Sequence, residues 1–336
     1  MRIILYVFSG TGNTLAVANL YKKFLENNPV TEQEKKLIKN TEEQIAATEA
    51  RGEEFTAGAK VDIYRVSEKS GKLPMPDGYD IVGVGYPIHA FCAPEPIVKL
   101  CKRLPALKNG ERKRAFIFKS SGEGLHVNDC SSQKCIKILT KKGYDVQMER
   151  HFVMPYNMIY RHRDEMAKHM WIYTHALVDL NCRELVAGKR EKVKKPFIET
   201  MWFAPIGWIE QKFAHFHGTA FKVDKKKCIN CGLCASICPE NNITLENGTY
   251  KFGHKCVLCM GCAFNCPKDA VKVGVFKFWK VNGSYHLNEL VKKEELPFPY
   301  VQKHAKGIYK LYKKYYKESD KRLKEAGIDV NDYITN

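Results

Sequence analysis

Apolar runs and polar stretches alternate over the first 160 residues as they do in a parallel sheet covered by helices. The runs RIILYVF (2–8), VDIYRV (61–66), YDIVGVGYP (79–87), RAFIFKS (114–120) and YDVQMERHFVM (144–154) read as strands. Helical spacing falls between them at 12–27, around 94–104 and at 129–142. The pattern predicts an α/β fold: a doubly wound, five-stranded parallel sheet with its ligand site at the carboxyl ends of the strands.

Two stretches depart from that economy. The segment at about 29–60 is long, polar and without an apolar stripe, and reads as an exposed helical insertion tolerated at the surface rather than as a lid. From Arg163 to Lys189, apolar residues recur at helical spacing (Met166, Met170, Tyr173, Leu177, Leu180, Leu185), and this helix is expected to close a first domain at 1–189. A basic, aromatic connector at 190–217 follows, carrying Trp202, Phe203, Trp208, Phe213 and Phe216 and interrupted by Pro205 and Gly207. Packing of those aromatics between two domains is the stronger expectation, and a peripheral contact with a membrane surface the weaker one.

With 336 residues at 44% hydrophobic composition, the chain can bury two cores. It shows no signal-peptide pattern and no apolar run approaching the roughly 20 residues of a membrane span, so a soluble, cytoplasmic protein is expected. The excess of 55 Lys and Arg over 37 Asp and Glu gives a net charge of +18. That charge suits an acidic protein partner or an anionic surface. It is spread over KREKVKK (189–195), DKKKC (224–228) and a tail at 286–336, with no nucleic-acid-binding module beside it, so no nucleic-acid role is expected. The tail reads as helical and docked on the chain's own domains; if it were a partner-binding arm instead, deleting 296–336 would leave cofactor content intact.

Thirteen cysteines change the picture, because eight fall into two copies of one pattern: CINCGLCASICP (228–239) and CVLCMGCAFNCP (256–267). C-x2-C-x2-C-x3-C-P is the bacterial iron–sulfur run, whose fourth cysteine ligates the other cluster. One [4Fe-4S] cluster is therefore assigned Cys228, Cys231, Cys234 and Cys266, and a second Cys256, Cys259, Cys262 and Cys238. A zinc ribbon would use two pairs instead of a triplet plus a proline-flanked fourth ligand. Gly232 and Gly261 are expected to keep backbone amides near the sulfurs. Strand-like flanks at 220–224, 243–252 and 270–276 complete a small α+β unit over 218–285. This unit resembles the two-cluster ferredoxins. Cys92, Cys101, Cys130, Cys135 and Cys182 follow no ligand spacing and read as buried apolar residues, Cys92 being the one candidate for a redox role.

The glycine-rich turn FSGTGNT (8–14) after the first strand has no lysine for a nucleoside triphosphate and no third glycine for a dinucleotide. What it holds are Ser9, Thr11, Asn13 and Thr14 spaced by Gly10 and Gly12, suited to a terminal phosphate at a helix N-terminus. The stretch resembles the FMN phosphate loop of flavodoxins. That resemblance implies isoalloxazine contacts in the loops after the third and fourth strands, at Tyr86, Pro87, Ile88, His89, Ala90 and Phe91, and at Ser120, Ser121, Gly122 and Glu123. Those loops lack a ring-sandwiching tryptophan, which leaves Tyr86 or Phe91 to stack; His89 is a candidate proton donor.

A flavodoxin-like half with a C-terminal two-cluster ferredoxin is similar to the flavodoxin–ferredoxin fusion proteins of anaerobic bacteria and archaea, and HFVMPYN (151–157) fits that family too. The resemblance implies an electron-transfer flavoprotein coupling one- and two-electron steps for a redox partner protein. The alternative is a ferredoxin-fed, FMN-dependent reductase of a small-molecule acceptor bound over the ring.

Overall fold

The computed structural model describes residues 1–27, 59–108, 110–191 and 196–334. The insertion read at about 29–60 lies outside these residues but for its last two. Strands Arg2–Val7 (β1), Lys60–Arg65 (β2), Ile81–Pro87 (β3), Lys113–Ser121 (β4) and Tyr144–Val153 (β5) form one parallel sheet in the order β2-β1-β3-β4-β5. The strand order reverses direction between β1 and β3, which makes the crevice beyond their carboxyl ends the expected ligand position. Helices Asn13–Asn27 (α1), Glu95–Arg103 (α2) and Gln133–Lys141 (α3) supply the crossovers, α3 being preceded by a 3-10 stretch at His126–Ser132.

The alternation of β1 decides the layers. Ile3, Leu5 and Val7 join Val17, Leu20, Tyr21 and Leu25 of α1 on one face, while Ile4, Tyr6 and Phe8 join Ile97 and Leu100 of α2 and Leu139 of α3 on the other. Helix Asp164–Val186 (α4) covers the first face and is buried on nearly every side. The C-terminal segment wraps it with helices Leu287–Val291 (α8), Tyr300–His304 (α9) and Lys313–Glu325 (α10) and a last 3-10 turn at Val330–Tyr333. Val301, Tyr309, Tyr312, Tyr316 and Leu323 thereby enter the same apolar cluster as Ile3 and Leu5. On α10, buried Tyr316, Ser319 and Leu323 lie at i, i+3 and i+7, and the lysines occupy the exposed remainder.

Between the domains, the interrupted connector is in fact largely one helix, Phe197–His217 (α5), running through Pro205 and Gly207. Proline removes the donor that would reach the carbonyl four residues back. That residue is Met201, at the exposed surface where water can serve instead. The aromatics are not packed between domains as expected: Phe203 is half-buried, but Trp202, Trp208, Phe213 and Phe216 are exposed.

The ferredoxin-like unit pairs Lys222–Val223 (β6) with Val271–Lys272 (β9) and folds Ile243–Glu246 (β7) against Thr249–Phe252 (β8), each pair antiparallel. Single-turn helices Leu233–Ser236 (α6) and Gly261–Phe264 (α7) carry the third cysteine of each run, Cys234 and Cys262. The strand expected over 270–276 stops at Lys272, and Gly274–Phe278 is a 3-10 turn.

Candidate functional site

All the residues expected to hold the flavin, except Gly12 and Tyr86, line one cavity of about 410 Å³ at the carboxyl ends of the strands. That volume falls in the range of small-molecule sites. Gly12 sits at φ 107°, a conformation that favours glycine, and so turns β1 into α1 without facing the cavity. Tyr86 does not stack over the cavity; strand parity sends it to the α2/α3 face, where it is fully buried. The polar side chains of the first loop are themselves positioned. Asn13 Nδ2 donates to the Pro155 carbonyl (2.7 Å), Thr11 Oγ1 accepts from Asn157 Nδ2 (2.9 Å), and the hydroxyls of Thr14 and Ser120 are paired at 2.8 Å.

Several walls were not foreseen. Met154 to Ile159 form one side, Asn128 another, and Glu210, Leu258 and Trp279 arrive from α5 and the ferredoxin unit. HFVMPYN was the available signal for the first of these. Trp279 is the tryptophan in the lining of this cavity. It is seated by the Ile159 N–H donating to its carbonyl at 2.6 Å and by a bridge between Met158 and Lys280. The 120–123 loop is held by Asn128, whose Nδ2 donates to Glu123 Oε1 (3.0 Å), and by Tyr156, whose hydroxyl donates to Glu123 Oε2. Behind it, Tyr312 of the tail donates to the Gly122 carbonyl at 2.6 Å.

Three ionisable groups that line the cavity are shifted from their ordinary range, Tyr156 upward by burial and then by Glu123. Burial pushes His89 down to about 4, opposed in part by its hydrogen bond to the Val257 backbone, so it is a neutral tether between loops near pH 7 and not a proton donor. Desolvation raises Glu210 to about 7, and its Oε2 is buried without a hydrogen-bond partner. The unfolded chain ionises Glu210 near 4.5, so its stabilising effect is complete below that pH and is lost as pH rises through about 7. Glu210→Gln is expected to stabilise the protein at pH 8 by about 2–3 kcal/mol more than at pH 4, measured by denaturant unfolding at both. Cys92 is half-buried; burial and then Glu210 raise its thiol, which argues against a reactive thiolate.

The cysteines gather across the repeat. Cys228, Cys231, Cys234 and Cys266 line one cavity with Tyr250 and Val271. Cys238 lies within electrostatic reach of Cys256, Cys259 and Cys262. Both runs curl alike: Asn230 and Gly232 in the first, and Leu258 and Met260 in the second, take left-handed backbone at matching positions, as do Asn241 and Asp269 three residues beyond each fourth cysteine. Amides of Asn230, Asn242 and Ala270 donate to the sulfurs of Cys228, Cys238 and Cys266 at 3.4, 3.4 and 3.2 Å. Among the described residues, no group of three His, Cys, Asp or Glu closes around a single metal ion.

Gly261 keeps its amide on the Cys259 sulfur as expected and has a second task. A Cβ there would stand 2.5 Å from the Gly10 carbonyl oxygen, and a Cβ on Gly10 would stand 2.5 Å from Cys259 Cβ and 2.9 Å from its Sγ. The phosphate-type loop and the second cysteine run thus touch backbone to backbone. The domains are also joined by Ser67 donating to the Pro239 carbonyl (2.9 Å) and by His215 bridging Glu95 and the His254 carbonyl, both at 2.8 Å.

The sequence family described as 4Fe-4S binding domain matches residues 221–244, which include the first cysteine run. No curated protein matches the chain. Among solved structures, an archaeal flavodoxin is 13% identical and covers 55% of this chain and 99% of its own, with a TM-score of 0.32. A flavoprotein in complex with FMN from Lactobacillus acidophilus is 14% identical over 45% of this chain and 92% of its own (TM-score 0.27). A flavone reductase is 12% identical over 75% and 80% (TM-score 0.33). By its own strand order and this family match, the chain is a fusion of a flavodoxin-like α/β domain with a 4Fe-4S ferredoxin unit. Among the described residues no helix is long and apolar enough to cross a membrane.

Proposed function

We propose that the chain is an electron-transfer iron–sulfur flavoprotein relaying electrons between two [4Fe-4S] clusters and FMN. Cys228, Cys231, Cys234 and Cys266 would hold one cluster, Cys238, Cys256, Cys259 and Cys262 the other, and the 9–14, 87–91 and 120–123 loops the FMN. When bound, clusters carry single electrons and a flavin one or two, so the pair converts single-electron flow into pairwise chemistry. The observation that carries the reading is the contact of Gly10 with Cys259 and Gly261, which leaves no side chain between the second cysteine run and the phosphate loop. Cys231 is exposed and follows exposed Lys225, Lys226 and Lys227, which suits entry at the first set from an acidic donor protein.

Anaerobic purification with iron, sulfide and flavin counted against protein tests this directly. About eight irons and one FMN per chain are expected, and about four irons would refute the two-cluster assignment. A Gly10→Ala variant should cost about 1–3 kcal/mol of stability by overpacking and, by spreading the contact, slow reduction of the flavin by a reduced ferredoxin in stopped flow. Wild-type rates in that variant would count against the contact as the electron path.

A second reading, a reductase of a small-molecule acceptor, is favoured by the roof over the cavity. Helix α5 brings Glu210 to it and sets Phe203 edge-on against Phe91 at 4.8 Å, and Trp279 adds a flat apolar wall. Turnover of a small acceptor with reduced ferredoxin as the only electron source would favour the reductase; transfer to protein acceptors alone would favour the relay.

A further inference from the structure

Helix α5 is clamped on one side and bare on the other. Inward, Phe203 meets Phe91, Gly207 lies against Cys92, Gln211 Nε2 donates to the Ala93 carbonyl at 3.1 Å, and Ala214 is buried. Outward, Trp202, Ile206, Ile209, Phe213 and Phe216 recur at i, i+4, i+7, i+11 and i+14, which places them in one stripe along the helix. All five are exposed, Trp202 by 66% and Phe216 by 72%, and Met201 and Trp208 widen the stripe. The apolar surface continues onto the next element: Phe213 meets Phe276 of the 274–278 turn at 6.2 Å, and Phe278 of that turn is 81% exposed. Contiguous apolar surface of this kind is rare on a free monomer and marks an interaction site.

We propose that this face seats the protein on an anionic membrane surface, α5 lying in the interface without crossing it. Tryptophan and phenylalanine on the bare side suit the boundary between headgroups and acyl chains. The charges point the same way. Lys212 lies on the bare half of the helix, and Lys277 lies over the Phe278 ring at 4.8 Å; both can extend toward lipid phosphates while their stems stay among the apolar residues. The chain as a whole carries +18, which attracts an anionic leaflet and opposes burial of the same face against a second, equally basic copy. The inference stands on the surface alone and does not depend on the electron path. If both hold, Trp279, which is half-exposed beside this face and also lines the flavin-loop cavity, places the cavity mouth next to the bilayer, within reach of an acceptor dissolved in lipid.

The test is co-sedimentation of the full, cofactor-loaded chain with vesicles of phosphatidylcholine and phosphatidylglycerol in equal parts, against phosphatidylcholine alone. Binding to the mixed vesicles is expected, falling about tenfold or more in high salt or without phosphatidylglycerol. A Trp202→Ser/Trp208→Ser variant should lose it while keeping wild-type iron and flavin content. Should that variant not load its cofactors, Lys212→Glu/Lys277→Glu, which alters only exposed charges, should lose the preference for phosphatidylglycerol. The proposal is overturned if the wild type stays in the supernatant with both vesicles, or if it binds both equally. It is equally overturned if light scattering without lipid shows a dimer that Trp202→Ser/Trp208→Ser converts to a monomer, since a second copy would then cover the face.

Discussion

A Cys266→Ala chain is expected to lose the cluster of the first cysteine run and keep that of the second, its iron falling from about eight atoms to about four. Cys266 stands in the second run, four residues after Cys262, yet it lines a cavity with Cys228, Cys231 and Cys234. The reciprocal variant, Cys238→Ala, should empty the set beside Gly10. The two variants then differ in function although each retains about half its iron. With the cluster nearest the phosphate loop missing, Cys238→Ala should cut the flavin off from reduced ferredoxin. Cys266→Ala should leave a chain whose flavin a small chemical reductant can still reach through the remaining cluster. Iron and sulfide analysis with stopped-flow bleaching of the flavin checks both; a reversed order, with Cys266→Ala cut off and Cys238→Ala still reduced, would show that the ligands are not crossed.

Deleting residues 296–336 is expected to abolish folding, not to leave a folded chain lacking only an arm. The deletion removes Tyr300, Val301, Tyr309, Tyr312, Tyr316 and Leu323, all buried in the cluster that contains Ile3 and Leu5 of β1. At roughly 1.5–3 kcal/mol for each large apolar side chain, that loss is comparable to the whole stability of a domain, about 5–15 kcal/mol. Soluble expression and circular dichroism of the truncated chain provide the check; a folded, flavin-loaded product would refute the docked tail. A milder variant separates folding from cofactor binding. Tyr312→Phe keeps the ring in the core but removes the hydrogen bond to the Gly122 carbonyl, so FMN affinity should fall by about 0.5–1.5 kcal/mol with little change in melting temperature.

The sheet was legible because each strand is a buried run bounded by polar turns, and the strand limits in the fold fall within two residues of those read from the pattern. The cysteine runs were legible because ligand spacing is local. What escaped is what the chain brings together from a distance. Trp279 and Leu258 reach the cavity only through docking of the second unit, which no periodicity records. Tyr86 was misassigned because its loop was read without the parity of β3, which turns alternate residues to opposite faces. Helix α5 was hidden by Pro205 and Gly207, each a helix breaker by local propensity, and tertiary contacts overrode both: Gly207 is the position where Cys92 leaves no room for a side chain. The tail's basic character hid a stripe at i, i+3 and i+7 that becomes evident only against α4.

Because the cavity draws walls from both units, loading one centre bears on the other. Leu258 lies between Cys256 and Cys259, so a cluster held by that run would fasten the loop that forms this wall and the contact with Gly10. By linkage, whatever factor iron adds to flavin affinity, flavin returns to the retention of iron. Positive coupling of this kind would work as an interlock, lowering the share of half-assembled chains relative to empty and fully loaded ones.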